Sequence, residues 1–252
     1  MTMPSTVLVT GCSSGFGLET ARLFLDKGWN VIATMRTPRD DVLPASARLR
    51  VLALDVTDAD SIRRCIAEAG PLDALVNNAG VGALAALEGL PMAAARELFE
   101  TNTLGTIAMT QAVLPQFRER GAGVVVNVTS SVTIKSLPLL SVYTASKAAV
   151  NAFTESLAIE LAAFGVRARL VLPGRAPGTS FGANARRRMG SAPHPAYAEF
   201  TQGVIAGVLD TTAPMTHSQD VARAVWRAVT DPAAPMRLPA GADAEALAAS
   251  LA

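Results

Sequence analysis

The chain has only two cysteines, Cys12 and Cys65, and two histidines, His194 and His217. A disulfide framework needs more cysteines in a shorter secreted chain, and this pair forms no C-x-x-C motif. The histidines lie in Pro-flanked or cap-like settings and read as loop residues, so no metal site is expected. An excess of charge of one sign is also missing: 22 Lys and Arg face 21 Asp and Glu, for a net +1. That balance speaks against nucleic acid or an anionic membrane surface as the main partner and leaves small molecules. Apolar stretches are broken by Gly, Pro or charge well before bilayer-spanning length, and Met1-Thr2-Met3-Pro4-Ser5-Thr6 carries no cationic leader region, so a cytoplasmic protein is expected. No linker, charge block or repeat divides residues 1–252, so one domain is expected, and 50% hydrophobic residues suffice for one large core.

What is present is a series of short apolar runs, each followed by a helical pattern. Val7-Leu8-Val9, Val31-Ile32-Ala33, Val51-Leu52-Ala53-Leu54, Ala74-Leu75-Val76, Val124-Val125-Val126 and Arg169-Leu170-Val171-Leu172 read as strands buried on both faces. Helices are expected from Leu18 to Lys27 before Gly28, from Thr57 to Ala69 under a Thr57-x-x-Asp60 cap, over 92–117 with Pro91 at its first position, over 142–164, and from near Ser218. Alternating strands and helices require right-handed crossovers. The expected fold is therefore α/β, a doubly wound (Rossmann) parallel sheet with helices on both faces.

Ligands of such sheets bind beyond the carboxyl ends of the strands, and the informative residues fall there. Thr10-Gly11-Cys12-Ser13-Ser14-Gly15-Phe16-Gly17 separates the first strand from the first helix, and its glycines permit a tight turn with backbone N–H groups close to a pyrophosphate. Its spacing is G-x-x-x-G-x-G rather than G-x-G-x-x-G. Tyr143 and Lys147 stand four apart, hence on one helix face. A free Tyr titrates near ~10, so proton transfer at neutral pH calls for phenolate stabilisation of roughly 4 kcal/mol, for which a nearby ammonium has the right sign.

Taken together these motifs resemble the short-chain dehydrogenase/reductase family, from its T-G-x-x-x-G-x-G turn through Asn77-Asn78-Ala79-Gly80 to Tyr143-x-x-x-Lys147, over roughly residues 6 to 179. The Gly-Cys-Ser-Ser-Gly turn and Ala33-Thr34-Met35-Arg36 look most like hydroxysteroid- and retinol-dehydrogenase members. The resemblance implies a nicotinamide cofactor held by Gly11, Ser13, Ser14, Gly15, Phe16, Gly17, Arg36, Asp55, Val56, Asn78, Ala79, Gly80, Tyr143, Lys147, Pro173 and Gly174. Asp55 and Val56 match the position beside the adenine. Thr179 comes one residue later than the Thr that touches the nicotinamide amide in relatives. It further implies Asn102, Ser130, Tyr143 and Lys147 as the catalytic set: Tyr143 protonates a carbonyl oxygen as hydride arrives at carbon, Ser130 stabilises that oxygen, Lys147 also holds the ribose, and Asn102 holds a water linking Lys147 to solvent.

An acidic residue past the glycine turn would favour NAD. Met35 stands where NAD-preferring relatives carry Asp, and Arg36 follows, so NADP(H) is expected unless Arg36 is merely a surface charge. Residues 175–217 read as a substrate lid or as ordinary core, with Phe181, Met189, Tyr197, Phe200 and Met215. Arg186-Arg187-Arg188 reads either as a binding patch for an anionic substrate or as a solvated face. Three functions remain open: a reductase or dehydrogenase of apolar ketones, aldehydes or secondary alcohols; a 3-oxoacyl-[acyl-carrier-protein] reductase; and a non-catalytic cofactor-binding sensor. A homodimer or homotetramer is expected from the resemblance and from the apolar helices at 92–117 and 148–164.

Overall fold

A computed structural model describes residues 4–39, 41–179, 185, 194–209 and 212–250. Phe181, Met189 and Arg186-Arg187-Arg188 lie outside them. Seven strands form one parallel sheet: β1 (Thr6–Val9), β2 (Asn30–Met35), β3 (Leu49–Ala53), β4 (Ala74–Asn77), β5 (Gly123–Val128), β6 (Val166–Pro173) and β7 (Arg237–Ala240), in the order β3-β2-β1-β4-β5-β6-β7. The order reverses between β1 and β4, which pair through Val7 and Ala74. In a doubly wound sheet that reversal opens a crevice at the strands' carboxyl ends.

Strand side chains alternate between two cores, as the period of two requires. Val7, Val9, Val31, Val76 and Val126 pack on one face with Phe24 of α1 (Gly15–Asp26) and Val221 and Val225 of α7 (Ser218–Thr230). Leu8, Ile32, Leu75 and Val125 pack on the other with Ile62 of α2 (Ala59–Ala69), Val113 and Phe117 of α4 (Gly105–Arg120) and Leu157 of α5 (Ser141–Ala162). Burying both faces explains why the strands read as unbroken apolar runs. Among the described residues no helix is long and apolar enough to cross a membrane.

Local chemistry departs from the expectation in three places. Asp58, not Thr57, caps α2: its Oδ1 accepts from Asp60 N at 2.8 Å and Ser61 N at 3.1 Å. Thr57 is already engaged, donating from N and Oγ1 to Asp55 Oδ1 at 2.9 and 2.7 Å. The helix expected over 92–117 is interrupted, α3 (Met92–Phe99) giving way to a π-helical turn at Glu100–Leu104 before α4. Beyond the expected elements lie α6 (Ala198–Leu209), strand β7 and α8 (Ala242–Ala249).

Candidate active site

The turn from β1 into α1 is held from below. Asn78 Nδ2 donates to Thr10 O at 2.9 Å and Gly11 O at 3.2 Å, while Asn78 N and Ala79 N both donate to Thr10 Oγ1 at 2.9 Å. Gly11 and Gly15 have φ of +75° and +61°, and a Cβ at Gly17 would overlap Asn78 Nδ2 and Gly11 O. Only glycine meets those demands. Ser14 takes the N-cap position of α1 with no side-chain cap hydrogen bond to the first N–H groups of the helix. Above them opens a cleft of about 980 Å³, lined by Gly11, Ser13, Ser14, Gly15 and Phe16, by Met35 and Arg36 at the end of β2, by Asp55 and Val56, by Asn78, Ala79 and Gly80, and by Thr179. Thr179 faces Gly15 across it, with 3.7 Å between its Cβ and a Cβ built on that glycine, and its hydroxyl turns back to Ala176 O at 2.9 Å. A long cleft floored by positive-φ glycines and a helix N-terminus fits a dinucleotide pyrophosphate.

Behind the lining of this cleft, which does not itself include Asn102, Ser130, Tyr143 or Lys147, β5 delivers Ser130, anchored beside β6 by Thr129 N donating to Val171 O at 2.8 Å. The Ser130 side chain hydrogen-bonds that of Tyr143, which is buried. One turn along α5, Lys147 is also buried and its Nζ donates to Val128 O at 2.9 Å. Asn102 sits in the π-helical turn, its Oδ1 accepting from Val81 N at 2.8 Å and its Nδ2 donating to Val81 O and to Ser146 Oγ at 2.9 and 3.0 Å. Ser146 Oγ in turn donates to Tyr143 O at 2.7 Å. A Cβ at Gly80 would stand 3.2 Å from Asn102 Oδ1 and 3.4 Å from Lys147 Nζ, so these groups converge on the end of the Asn77–Gly80 segment.

The electrostatics differ from the expected pattern. Burial pushes the Tyr143 hydroxyl up to about 12, with the Ser130 hydrogen bond pulling the other way, and burial brings Lys147 down to about 8. Desolvation disfavours both charged forms and sets the direction of both shifts, in place of the expected depression of the phenol by the ammonium. The protein alone therefore keeps Tyr143 protonated. Ala83, Leu98, Val132 and Tyr143 share an apolar cluster with Val81, Leu90, Leu140 and Val142, giving the phenol a hydrophobic neighbourhood. Leu139, which the sequence reading did not single out, is buried with φ of +63°, and its carbonyl accepts from Ala85 N at 2.9 Å. Of the suggested lid residues, Phe200 is exposed, Met215 is half-buried, and Tyr197 is half-buried edge-on to His194 with centroids 5.7 Å apart.

Residues 5–189 match the family model for short chain dehydrogenases. The chain belongs to that family. It is 42% identical over 182 residues to retinol dehydrogenase 8 of Homo sapiens, covering 68% of the chain and 58% of that protein. It is 42% identical over 185 residues to estradiol 17-beta-dehydrogenase 1 of Rattus norvegicus, covering 67% of the chain and 54% of the relative. The match thus spans little more than half the length of these two relatives. Among solved structures, a short-chain dehydrogenase from Streptomyces avermitilis superposes with a TM-score of 0.83 at 33% identity, over 100% of this chain and 93% of the other. Serine dehydrogenase complexed with NADP+ does so with 0.80 at 30% identity, over 93% of each chain. A short-chain dehydrogenase/reductase from Burkholderia phymatum in complex with NAD, 23% identical with a TM-score of 0.79 over 94% of this chain and 88% of the other, shares the fold.

Proposed function

We propose that this chain is an NADP(H)-dependent oxidoreductase that interconverts a carbonyl and an alcohol, acting on an apolar ketone, aldehyde or secondary alcohol. The observation that carries the reading is the Ser130–Tyr143 hydrogen bond, set beside buried Lys147, whose Nζ approaches Gly80 of the dinucleotide-sized cleft's lining. Bound NADP(H) would supply or accept hydride there. The Tyr143 hydroxyl gives its proton to the substrate oxygen in reduction and recovers it in oxidation, and a phenol held protonated by burial suits the first role. The Ser130 hydroxyl donates a hydrogen bond to the same oxygen and so stabilises its developing charge. Lys147 keeps an ammonium beneath Tyr143, and Asn102 fixes residues 81 and 146 around it. The apolar cluster around Tyr143 supports a substrate with a hydrophobic body.

The preference for NADP(H) rests on Arg36, which is exposed at the end of β2 and lines the cleft beside Met35 and Ser14. A 2′-phosphate there meets a guanidinium and finds no carboxylate at position 35. One charge-assisted contact of roughly 1.5–3 kcal/mol gives about a ten- to hundredfold preference in kcat/KM for NADPH over NADH. The test measures that ratio with a panel of apolar ketones, aldehydes and acyl thioesters, in wild type and in Met35→Asp/Arg36→Ala. Equal use of both cofactors by wild type, or a double mutant that keeps the NADPH preference, refutes the cofactor assignment; turnover of thioesters alone refutes the substrate class. A cytoplasmic homo-oligomer is part of the same reading, supported by Leu104, Ile159 and Phe164 lying exposed on neighbouring segments. Sedimentation as a monomer at micromolar concentration would count against it.

A further inference from the structure

The end of β6 lies beside the end of β5 that carries Ser130. Val128 of β5 pairs with Val171 of β6, and two residues further on each strand stand Ser130 and Pro173, whereas Arg36 stands beyond β2. The turn Pro173-Gly174-Arg175 therefore borders the space beside Ser130 and Tyr143. Its backbone is held by residues far along the chain and outside the matched 5–189 segment. Arg175 N donates to Asp243 Oδ2 at 2.6 Å, and Thr216 Oγ1 donates to Asp243 Oδ1 at 2.7 Å. Gly174 N donates to Thr216 Oγ1 at 2.9 Å, and Thr216 N donates to Arg175 O at 2.8 Å, closing the ring. A Cβ at Gly174 would overlap the Asp243 carboxylate, and one at Gly241 would overlap Thr216, so the contact is built at backbone distance on both sides. Thr216 is buried, and Asp243 stands in the first turn of α8, where the helix N-terminus favours a carboxylate.

We propose that Asp243, acting with Thr216, is a positioning residue that sets the Pro173-Gly174 turn against the nicotinamide half of the bound cofactor. This rests on the cofactor reading given above. The carboxylate and hydroxyl touch the turn's backbone and no reacting atom, so their effect reaches catalysis through placement alone. Misplacing reacting groups by about 1 Å is enough to lower a rate ~100-fold. No carboxylate other than Asp243 is bonded to the turn's N–H groups among the described residues.

The test uses the full chain and compares Asp243→Ala, Asp243→Asn and Thr216→Val. In Asp243→Ala, kcat falls about ten- to hundredfold and NADPH binding weakens about tenfold, while 2′,5′-ADP, which carries only the adenosine half, binds as to wild type. Thr216→Val keeps the shape of the side chain and shifts the same pair of readouts in the same direction, which covers the case that Asp243→Ala does not fold. Asp243→Asn restores most of the activity, because its amide can accept from Arg175 N and donate to Thr216 Oγ1 while that hydroxyl turns to Ala240 O, already 2.9 Å away. Folded variants with unchanged kcat and NADPH affinity overturn the proposal. So does an equal loss for 2′,5′-ADP and NADPH, which marks general destabilisation. A wild type that binds NADPH, NADH and 2′,5′-ADP not at all overturns the cofactor reading itself, and this proposal with it.

Discussion

Lys147→Met should stabilise the unliganded protein near neutral pH and remove a pH dependence that wild type shows. Lys147 is buried, and burial alone lowers it from 10.5 to about 8. Below about pH 8 both the folded and the unfolded chain carry the ammonium, and the folded state bears the full desolvation penalty. Between about 8 and 10.5 the folded state releases the proton while the unfolded chain keeps it, so stability rises with pH through that window. A depression of this size corresponds to about 3 kcal/mol in all, of which roughly 2 kcal/mol is recovered between pH 7 and pH 9.5. Tyr143 works in the opposite sense, since a phenol raised to about 12 loses stability as pH climbs above its ordinary 10, which barely touches the range below 9.5. Urea unfolding of wild type and Lys147→Met at pH 7 and 9.5 isolates the effect, because every other titrating group is common to both. The stability difference between variant and wild type should shrink by roughly 2 kcal/mol from the lower to the higher pH, close to a thirtyfold change in the ratio of unfolding constants. A constant difference would refute the claim that the ammonium is held desolvated beside Val128 O.

Two further outcomes follow from the same packing. Tyr143→Phe should lower kcat by at least about 100-fold while NADPH binds as to wild type in a fluorescence titration, since only the transferable proton is lost; activity above about a tenth of wild type would remove Tyr143 from the acid/base role. Gly123→Ala should destabilise the fold by about 1–3 kcal/mol in urea, because the added Cβ would overlap the ring of Phe117, which is wholly buried behind the first residue of β5, and an unchanged midpoint would refute that packing.

The parts of this molecule legible in its sequence are those in which one short segment holds both the signal and its structural cause. Buried parallel strands expose neither face, so Val124-Val125-Val126 reads correctly without any alternation, and Tyr143 and Lys147 share a helix face through spacing alone. Thr57 illustrates the limit of that reasoning. Its cap was undone by Asp55, two residues upstream, a competition between local hydroxyl and carboxylate partners that a capping pattern does not rank. The π-helical turn at Glu100–Leu104 was hidden because a single widened turn leaves the apolar spacing of the flanking helices almost intact, yet it is the turn that carries Asn102 to Val81 and Ser146.

Contacts that close over long sequence separations leave no such trace. Gly241 and Asp243 lie in a helix start that the sequence pattern did not mark, and nothing near them shows that the carboxylate meets Arg175, 68 residues earlier. Burial is equally silent in the sequence, which is why the phenol of Tyr143 was expected to be lowered by Lys147 and is instead raised. Both gaps concern the surroundings of Tyr143 and of the Pro173-Gly174 turn, whereas Arg36, in the cleft lining, is one side chain immediately after one strand. The surroundings of Ser130 and of the Pro173-Gly174 turn are distributed over β5, β6, the segment before α7 and the first turn of α8, and need the closed sheet before their residues become neighbours.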